Sequence, residues 1–286
     1  MGPRCRPTLA VLLLCMTDPF CLDDTVAVVT GAAGKLGPVW IGALLDAGAR
    51  VFALELGAAR LSPAFESLRE AHDERRLVLY RADVLDRNAL TAARDACGEA
   101  LGTAEVLVNN AGIDSPASST VATSYRMEDV PLDVCREIVE VNVLGTFQVA
   151  QVFGAEMVKA RRGSIINIGS LYASVSPDSR FYAHMPLEPP FLKPPAYGAS
   201  KAAVVNLTRY LATVWGPYGV RVNTLSPGGV DGGQDAEFQR KFNDRVPLGR
   251  MAVNADLTGP LRFLASDASA YVTGTELRVD GGFTAW

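Results

Sequence analysis

The chain has 286 residues, 49% of them hydrophobic and 20% charged, with a formal net charge of −4. This length and balance are typical of one large globular α/β domain, and the scattered lysines and arginines argue against nucleic-acid binding. Five cysteines without Cys-x-x-Cys spacing, together with two histidines, indicate free thiols in a reducing compartment rather than a disulfide framework or a metal site.

The first residues resemble a signal peptide, because Arg4 and Arg6 precede an apolar run at 9–16. The run is too short to span a membrane. Met16 has the features of a natural translation start. We therefore interpret 1–15 as a dispensable extension of a cytoplasmic domain at 16–286 without a membrane partner; a targeting segment is the alternative.

Short apolar runs then alternate with stretches of helical spacing. We predict strands at 26–29, 50–54, 77–80, 106–109, 164–168, 220–225 and 277–279. We predict helices at 38–47, 87–100 and 202–215, and a long helical stretch at 132–160 interrupted by Gly145 and Gly154. Strands that alternate with helices form a parallel sheet through right-handed crossovers. The predicted fold class is α/β: a doubly wound, seven-stranded Rossmann-type sheet in a single domain.

A glycine-rich turn follows the first predicted strand and opens the next helix, which is the context that makes a dinucleotide motif credible. Gly31, Gly34 and Gly37 let the backbone approach a pyrophosphate, and the helix N-terminus supplies N–H donors. A Walker-type ATP loop is excluded because no Gly-Lys-Ser/Thr sequence follows.

Glu55 ends the second predicted strand, where a carboxylate can accept both adenosine ribose hydroxyls and would repel a 2′-phosphate. This position favours NAD over NADP. Lys35 and Arg60 are competing cations that could instead hold the phosphate. Asp83 is placed to meet the adenine, and 109–112 forms a turn of small residues that a dinucleotide could pass.

Tyr197 and Lys201 stand four residues apart and share one face of a helix. A free tyrosine titrates near pH ~10, and a nearby cation favours the phenolate. We expect Lys201 to lower the pKa of Tyr197 toward ~7, which requires about 4 kcal/mol from the cation and a bound cofactor together. The alternative is a surface pair on an ordinary helix.

Residues 171–196 break the alternation, because their prolines exclude a regular helix. A long loop beside an active site is usually a lid or a specificity wall. We therefore expect Phe181, Tyr182 and Phe191 to shape a substrate wall or lid, with His184 as a polar contact. The alternative is a surface excursion that packs on the domain.

With these residues in order, the chain resembles the short-chain dehydrogenase/reductase family from Asp23 to Trp286. The matching positions, in chain order, are the glycine turn, Asp83, 109–112, Asn142, Ser170, Tyr197 with Lys201, Asn223, Pro227 with Gly228, and 279–282. The resemblance implies that Tyr197 is the acid/base and that Ser170 orients the substrate oxygen. It further implies that Lys201 binds the nicotinamide ribose and that Asn142 holds a water in a proton relay.

The same resemblance implies hydride transfer between a nicotinamide cofactor and a small secondary alcohol or ketone, in a homotetramer or homodimer, with no metal. The implied cofactor-binding residues are Gly31, Gly34, Lys35, Leu36, Gly37, Glu55, Asp83, Val84, Asn110, Ala111, Gly112, Tyr197, Lys201, Pro227, Gly228 and Val230. The inserted loop and the C-terminal residues 283–286 resemble those of members associated with bacterial sugar and surface-glycan modification.

Three departures from the family pattern bear on these expectations. Lys35 stands where the single-domain branch has a glycine, and the resulting glycine spacing is that of nucleotide-sugar epimerases and dehydratases with tightly held NAD. Ser170 and Tyr197 are farther apart than is usual. Gly232 stands where a threonine often contacts the carboxamide. An epimerase or dehydratase, and a cofactor-binding regulator without catalysis, are therefore the alternative functions.

Overall fold

The computed structural model describes residues 18–114 and 124–286. The extension predicted at 1–15, and Met16 as its boundary, lie outside these residues.

Seven parallel strands form one sheet in the order β3-β2-β1-β4-β5-β6-β7. The strands are β1 (Val26–Thr30), β2 (Arg50–Glu55), β3 (Leu77–Arg81), β4 (Val106–Asn109), β5 (Gly163–Ile168), β6 (Val220–Pro227) and β7 (Glu276–Val279). The strand prediction is confirmed, with ends that differ by at most two residues. The strand order reverses between β1 and β4, and in a doubly wound sheet this is where the carboxyl ends open a crevice for a ligand.

The helices cover both faces of the sheet. They are α1 (Gly37–Asp46), α2 (Pro63–Ala71), α3 (Arg87–Ala100), α4 (Leu132–Val139), α5 (Thr146–Ala160), α6 (Pro195–Trp215), α7 (Ala236–Asn243) and α8 (Asn254–Ala265). Three of them, α2, α7 and α8, were not predicted. The short α2 buries only Phe65 and α7 only two residues, while Pro260 lies inside α8 and obscures its helical pattern.

Between α4 and α5 the chain forms a π-helical segment, Glu140–Gly145, so the interruption predicted at Gly145 is confirmed. The interruption predicted at Gly154 is wrong, because α5 runs through it. This glycine provides close packing instead, since a Cβ there would lie 2.8 Å from the Trp215 ring. By length and composition, Leu132–Ala160 could cross a membrane. However, 50% of its most apolar 18-residue stretch is buried inside the domain, as is usual for a core helix.

Alternate residues of the strands feed two hydrophobic layers, as the period of a strand requires. Ala27 and Val29 face α1 and α8, whereas Val26 and Val28 face α3, α5 and α6. A third group, which we call the aromatic cluster, joins the inserted loop to α7 and the C-terminus. Its buried members are Leu171, Phe181, Phe238, Phe242, Val246, Met251 and Phe283.

Candidate active site

The glycine turn leaves β1 at the reversal of strand order and is fixed there by Asn110, which follows β4. Gly31 has φ +62°, and a Cβ on it would lie 2.9 Å from the Cα of Ala111. The Asn110 amide donates to the carbonyls of Thr30 and Gly31 at 3.0 and 2.9 Å. The Trp40 indole N–H in turn donates to Asn110 Oδ1 at 2.8 Å. Asn110 therefore holds the turn with its side chain.

The N-terminus of α1 fits a pyrophosphate. Leu36 at its N-cap makes no side-chain cap hydrogen bond, Pro38 has no N–H, and the Val39 N–H donates to Leu36 O at 3.1 Å, so the Gly37 N–H is the one in this first turn that can face an anion. Gly37 has no room for a side chain, because a Cβ would collide with the carbonyls of Gly31 and Ala32. Gly34 donates its N–H to Gly31 O at 3.2 Å, which tightens the turn. The predicted glycines are thus brought together in one compact cradle.

Glu55 lies beside this cradle at the end of β2. Its carboxylate accepts the N–H groups of Ala33 and Leu56 at 2.6 and 2.8 Å, one on each oxygen. A carboxylate has about four acceptor positions, so it can still accept ribose hydroxyls. Arg81, the neighbour of Glu55 in β3, donates to the carbonyls of Leu56 and Ala59 and fixes the loop that follows.

Lys35 points away from this ribose end of the cradle. Its Nζ donates to Val230 O at 3.2 Å, on the loop that follows β6. It occupies the space that a side chain on Gly232 would need. Gly228 packs just before that loop, where a Cβ would lie 2.7 Å from the Cα of Asp280.

Asp83 and Val84 close the β3 end of the crevice. Asp83 accepts the N–H of Leu85 at 2.9 Å, which shapes the turn before α3. The Val84 carbonyl accepts a hydrogen bond from the Gln148 side chain at 3.1 Å. The Val84 side chain also packs against Gly145, where a Cβ would lie 2.8 Å from Val84 Cγ2. Both residues lie at the same sheet edge as the glycine turn.

Tyr197 lies in the first turns of α6 and meets Ser170 from the end of β5. The Ser170 side chain lies close enough to that of Tyr197 to lower the pKa of the tyrosine, and its hydroxyl accepts the N–H of Tyr172 at 3.2 Å. The Tyr172 ring packs edge-on to that of Tyr197, with ring centroids 6.4 Å apart. The structure therefore brings the predicted serine and tyrosine close together, although the whole inserted loop separates them in the sequence.

Lys201 and Asn142 complete this group beneath the tyrosine. The Lys201 ammonium, buried in the domain, donates to Ile168 O at 2.8 Å and lies 5.9 Å from the Tyr197 ring centroid. The Asn142 amide exchanges hydrogen bonds with the backbone of Ile113 at 2.8 and 2.9 Å. A Cβ on Gly112 would lie 3.1 Å from Asn142 Oδ1 and 3.5 Å from Lys201 Nζ, so a bare backbone is needed there.

The electrostatics of the cofactor-free site differ from our expectation. Burial raises the pKa of Tyr197 above its ordinary value; the Ser170 hydrogen bond and the Lys193 ammonium lower that pKa less strongly. The expectation that Lys201 lowers the pKa of Tyr197 is wrong here, because burial sets the direction and the lowering contributions come from Ser170 and Lys193. Burial also lowers the pKa of Lys201 itself, to about 8.

The inserted loop is anchored by the aromatic cluster. Phe181 is 3% exposed, with its ring centroid 5.7 Å from that of Phe242, so it is a packing residue and not the pocket wall that we expected. The ring centroids of Tyr182 and Phe191 lie 4.8 Å apart, and both residues remain partly exposed. The polar contact expected for His184 goes to Asp235 at the start of α7, at 2.8 Å.

Sequence reasoning missed two residues at the site, Lys193 and Asp114. The Lys193 ammonium lies 2.8 Å from Asp114 Oδ2 and 5.2 Å from the Tyr197 ring centroid. The available signal was weak: a lysine four positions before the tyrosine, in a loop, has no geometric relation to it until the fold is known. Trp40, which fixes Asn110, was missed for the same reason.

Comparison with known proteins agrees with this geometry. Residues 31–284 match a family whose description is enoyl-(acyl carrier protein) reductase. A galactitol 2-dehydrogenase (L-tagatose-forming) from Cereibacter sphaeroides is 35% identical over 273 residues, covering 93% of this chain and 98% of the relative. The chain belongs to the short-chain dehydrogenase/reductase family. A second member, the D-threitol dehydrogenase of Mycolicibacterium smegmatis, is 34% identical over 93% of this chain and 95% of the relative.

Solved structures of other short-chain dehydrogenases are similar throughout. One from Leptospira borgpetersenii with bound NAD+ superposes with a TM-score of 0.78 at 32% identity, covering 92% of this chain and 94% of that one. A gluconate 5-dehydrogenase from Burkholderia cenocepacia in complex with NADP and tartrate superposes with a TM-score of 0.78 at 30% identity. The match covers 94% of this chain and 98% of that one. The protein is thus an oxidoreductase of this family, with a Rossmann-type fold.

Proposed function

We propose that this short-chain dehydrogenase oxidises a secondary alcohol of a small polyol, or reduces the corresponding ketone, with Tyr197 as its acid/base. The observation that carries the proposal is the proximity of the Ser170 and Tyr197 side chains, through which Ser170 lowers the pKa of Tyr197. The pair lies above the Lys201 ammonium at the carboxyl edge of the sheet. Two hydroxyls that converge in this way can bind a single substrate oxygen.

Each residue then has a defined task. In the oxidation direction the Tyr197 oxygen takes the proton of the substrate hydroxyl, and Ser170 donates a hydrogen bond to the oxygen as charge develops on it. Lys201 supplies a positive charge beside the tyrosine and a donor for a ribose hydroxyl. Asn142 holds the backbone of Ile113, in the segment that follows β4. When bound, the nicotinamide supplies the hydride acceptor or donor.

We propose NAD as the preferred cofactor. Glu55 keeps acceptor positions for ribose hydroxyls, and its charge opposes a 2′-phosphate. Of the two competing cations, Lys35 donates to Val230 O on the loop after β6, and Arg60 is exposed on the surface. Arg81, a cation beside Glu55, is held by backbone carbonyls. Relatives of known structure bind either NAD+ or NADP, so the preference rests on these contacts.

The substrate class is argued from the relatives and from the chemistry at the mouth of the site. The galactitol and D-threitol dehydrogenases both act on open-chain polyols, as their names state. Close to Tyr197 this chain offers an ammonium donor on Lys193 and a carboxylate acceptor on Asp114. Such a pair, neutral in sum, suits the vicinal hydroxyls of an uncharged polyol better than it suits an acid.

We also propose a cytoplasmic homodimer or homotetramer. The helices beside the active site expose large apolar side chains that water does not favour. Leu132 is 68% exposed, Leu144 54% and Tyr210 65%. Association through this surface would bury them. Sedimentation of the purified protein would measure the assembly, and a stable monomer at micromolar concentration would contradict it.

The test is a substrate panel with both cofactors. Purified protein is incubated with NAD+ or NADP+ and with galactitol, D-threitol, D-arabinitol, gluconate or cyclohexanol, and the reduced cofactor is followed by absorbance. We expect catalytic turnover with at least one polyol and NAD+. Turnover confined to gluconate would reject the polyol class. Absence of any cofactor reduction, with cofactor bound, would reject the dehydrogenase proposal.

A further inference from the structure

The inserted loop carries a second ammonium to the acid/base. Lys193 lies just before the first residue of α6, separated from it by Pro194, so no helical spacing links it to Tyr197. It reaches the tyrosine through space, with its Nζ 5.2 Å from the ring centroid, closer than Lys201 at 5.9 Å. Both ammonium groups therefore lie near the same ring, and Lys193 is the one that lowers the pKa of Tyr197.

Lys193 is fixed in this position. Its Nζ pairs with Asp114 Oδ2 at 2.8 Å, and its side chain is 15% exposed while that of Asp114 is 58% exposed. The loop is tied down nearby as well, because Ser124 donates its hydroxyl to the carbonyl of Pro190 at 2.9 Å. A buried ammonium held from the outside by a carboxylate is an ordered charge, and it is not a solvated surface lysine.

The two ammonium groups differ in how they hold their protons. Burial acts against the charged form of Lys193, but the Asp114 carboxylate offsets it, so the pKa of Lys193 lies above its ordinary value. Burial lowers the pKa of Lys201 to about 8. In mildly alkaline solution the cofactor-free protein therefore retains the charge of Lys193 while Lys201 begins to lose its proton.

Resting on the proposed function, we propose that Lys193, held by Asp114, is a positioning residue that favours the ionised form of Tyr197. The groups that face Tyr197 are Ser170, Tyr172, Lys193, Lys201 and Asp114, and Tyr182 lies beside Lys193. Of these, Asp114 raises the pKa of Tyr197, but by less than Lys193 lowers it. The loop thereby contributes to the acid/base as well as enclosing it.

The experiment compares Lys193→Gln and Lys193→Met with the conservative Lys193→Arg. The Met variant keeps the alkyl stem in case the Gln variant does not fold. The matched control is Lys159→Gln, which removes an ammonium paired with Glu156 at 2.7 Å on α5. That helix ends before β5 begins, so Lys159 lies at the opposite edge of the sheet from the site.

Two readouts are measured. The first is the pH profile of kcat/KM for the best polyol with NAD+. The second is the ultraviolet titration of tyrosinate in the cofactor-free protein, taken as the difference from Tyr197→Phe; this needs no substrate and therefore tests the inference even if the substrate panel fails. In Lys193→Gln and Lys193→Met, we expect the midpoint of the kcat/KM profile and the midpoint of the tyrosinate titration to rise by about one pH unit. Because less Tyr197 is then ionised at a given pH, kcat/KM on the acid limb should fall about tenfold.

The expected pattern includes partial or full recovery in Lys193→Arg, no change in Lys159→Gln, and an NAD+ dissociation constant within a few-fold of wild type throughout. Midpoints unchanged in both neutral variants would overturn the inference, as would an arginine variant that behaves like glutamine. A substrate panel without turnover, combined with a shifted tyrosinate midpoint, would reject the proposed function and retain the inference.

Discussion

Lys35 and Gly232, two residues that depart from the pattern of the family, are in contact with each other. The Lys35 ammonium bonds Val230 O and fills the space that a side chain at 232 would need. The loop after β6 is therefore joined to the glycine turn by a lysine from the turn itself. Because residue 232 is a glycine, it leaves the space that the Lys35 side chain occupies.

This relationship predicts that Gly232→Thr weakens cofactor binding. The threonine must displace Lys35 from its place, which disturbs the pyrophosphate cradle, and we expect the NADH dissociation constant to rise about tenfold, or about 1.4 kcal/mol. The double variant Lys35→Gly/Gly232→Thr should recover most of the loss. Gly259→Thr, on an open surface of α8, is the control. NADH fluorescence titration measures all of these; additive effects of the two substitutions would contradict the coupling.

Glu55 should determine the choice of cofactor. Removing its charge in Glu55→Gln takes away the repulsion toward a 2′-phosphate, so kcat/KM with NADP+ should rise relative to NAD+ by about tenfold or more. Glu66→Gln, on the exposed surface of α2, serves as the control. A clear wild-type preference for NADP+ would mean that Lys35 or Arg60 outweighs the carboxylate.

Lys201 should cost the cofactor-free protein stability. Its folded pKa of about 8 lies below the ordinary value of 10.5, so the unfolded chain binds more protons between these two pH values and stability rises with pH across this window. Relative to Lys201→Met, wild type should gain about 3 kcal/mol of unfolding free energy between pH 7 and pH 10.5. Urea unfolding at both pH values measures the difference. A flat or falling difference would show that the buried ammonium is not destabilising.

Residues of the inserted loop should fall into two groups: Phe181 should stabilise the fold, whereas Tyr182 and Phe191 should line the substrate pocket. Phe181→Ala removes a buried ring from the aromatic cluster and should lower the unfolding free energy by about 3–5 kcal/mol. Tyr182→Ala and Phe191→Ala should change kcat/KM and leave the NAD+ dissociation constant unchanged, because these rings are partly exposed. Tyr182→Phe keeps the ring as a control. If the Tyr182 and Phe191 variants lose melting temperature with unaltered kinetics, the lid proposal is wrong.

How much the sequence could predict depended on the range of the interactions. The strands follow from local apolar runs, and the glycine turn from steric needs at Gly31 and Gly37, so both were predictable. The short helices α2 and α7 bury too few residues to produce a periodic signal. Lys193 and Asp114 are joined only by the return of a long loop, and no spacing rule describes that.

The Tyr197 pKa shows a second limit. The spacing of Tyr197 and Lys201 correctly indicated that a cation lies near the ring, 5.9 Å from its centroid. It could not indicate how deeply the phenol is buried, and burial determines the direction of the shift in the cofactor-free protein. Burial is a property of the folded chain as a whole, so a local pattern cannot supply it.

The most direct test of the account is Tyr197→Phe, which removes the hydroxyl and keeps the ring. We predict that kcat for polyol oxidation falls by at least ~10²-fold, the usual scale for losing an acid/base group, while the NAD+ dissociation constant stays within a few-fold of wild type. Tyr172→Phe, which alters the neighbouring ring's hydroxyl, should lose far less. A Tyr197→Phe enzyme with near-normal kcat would contradict the account, because Tyr197 would then not be the residue that moves the proton.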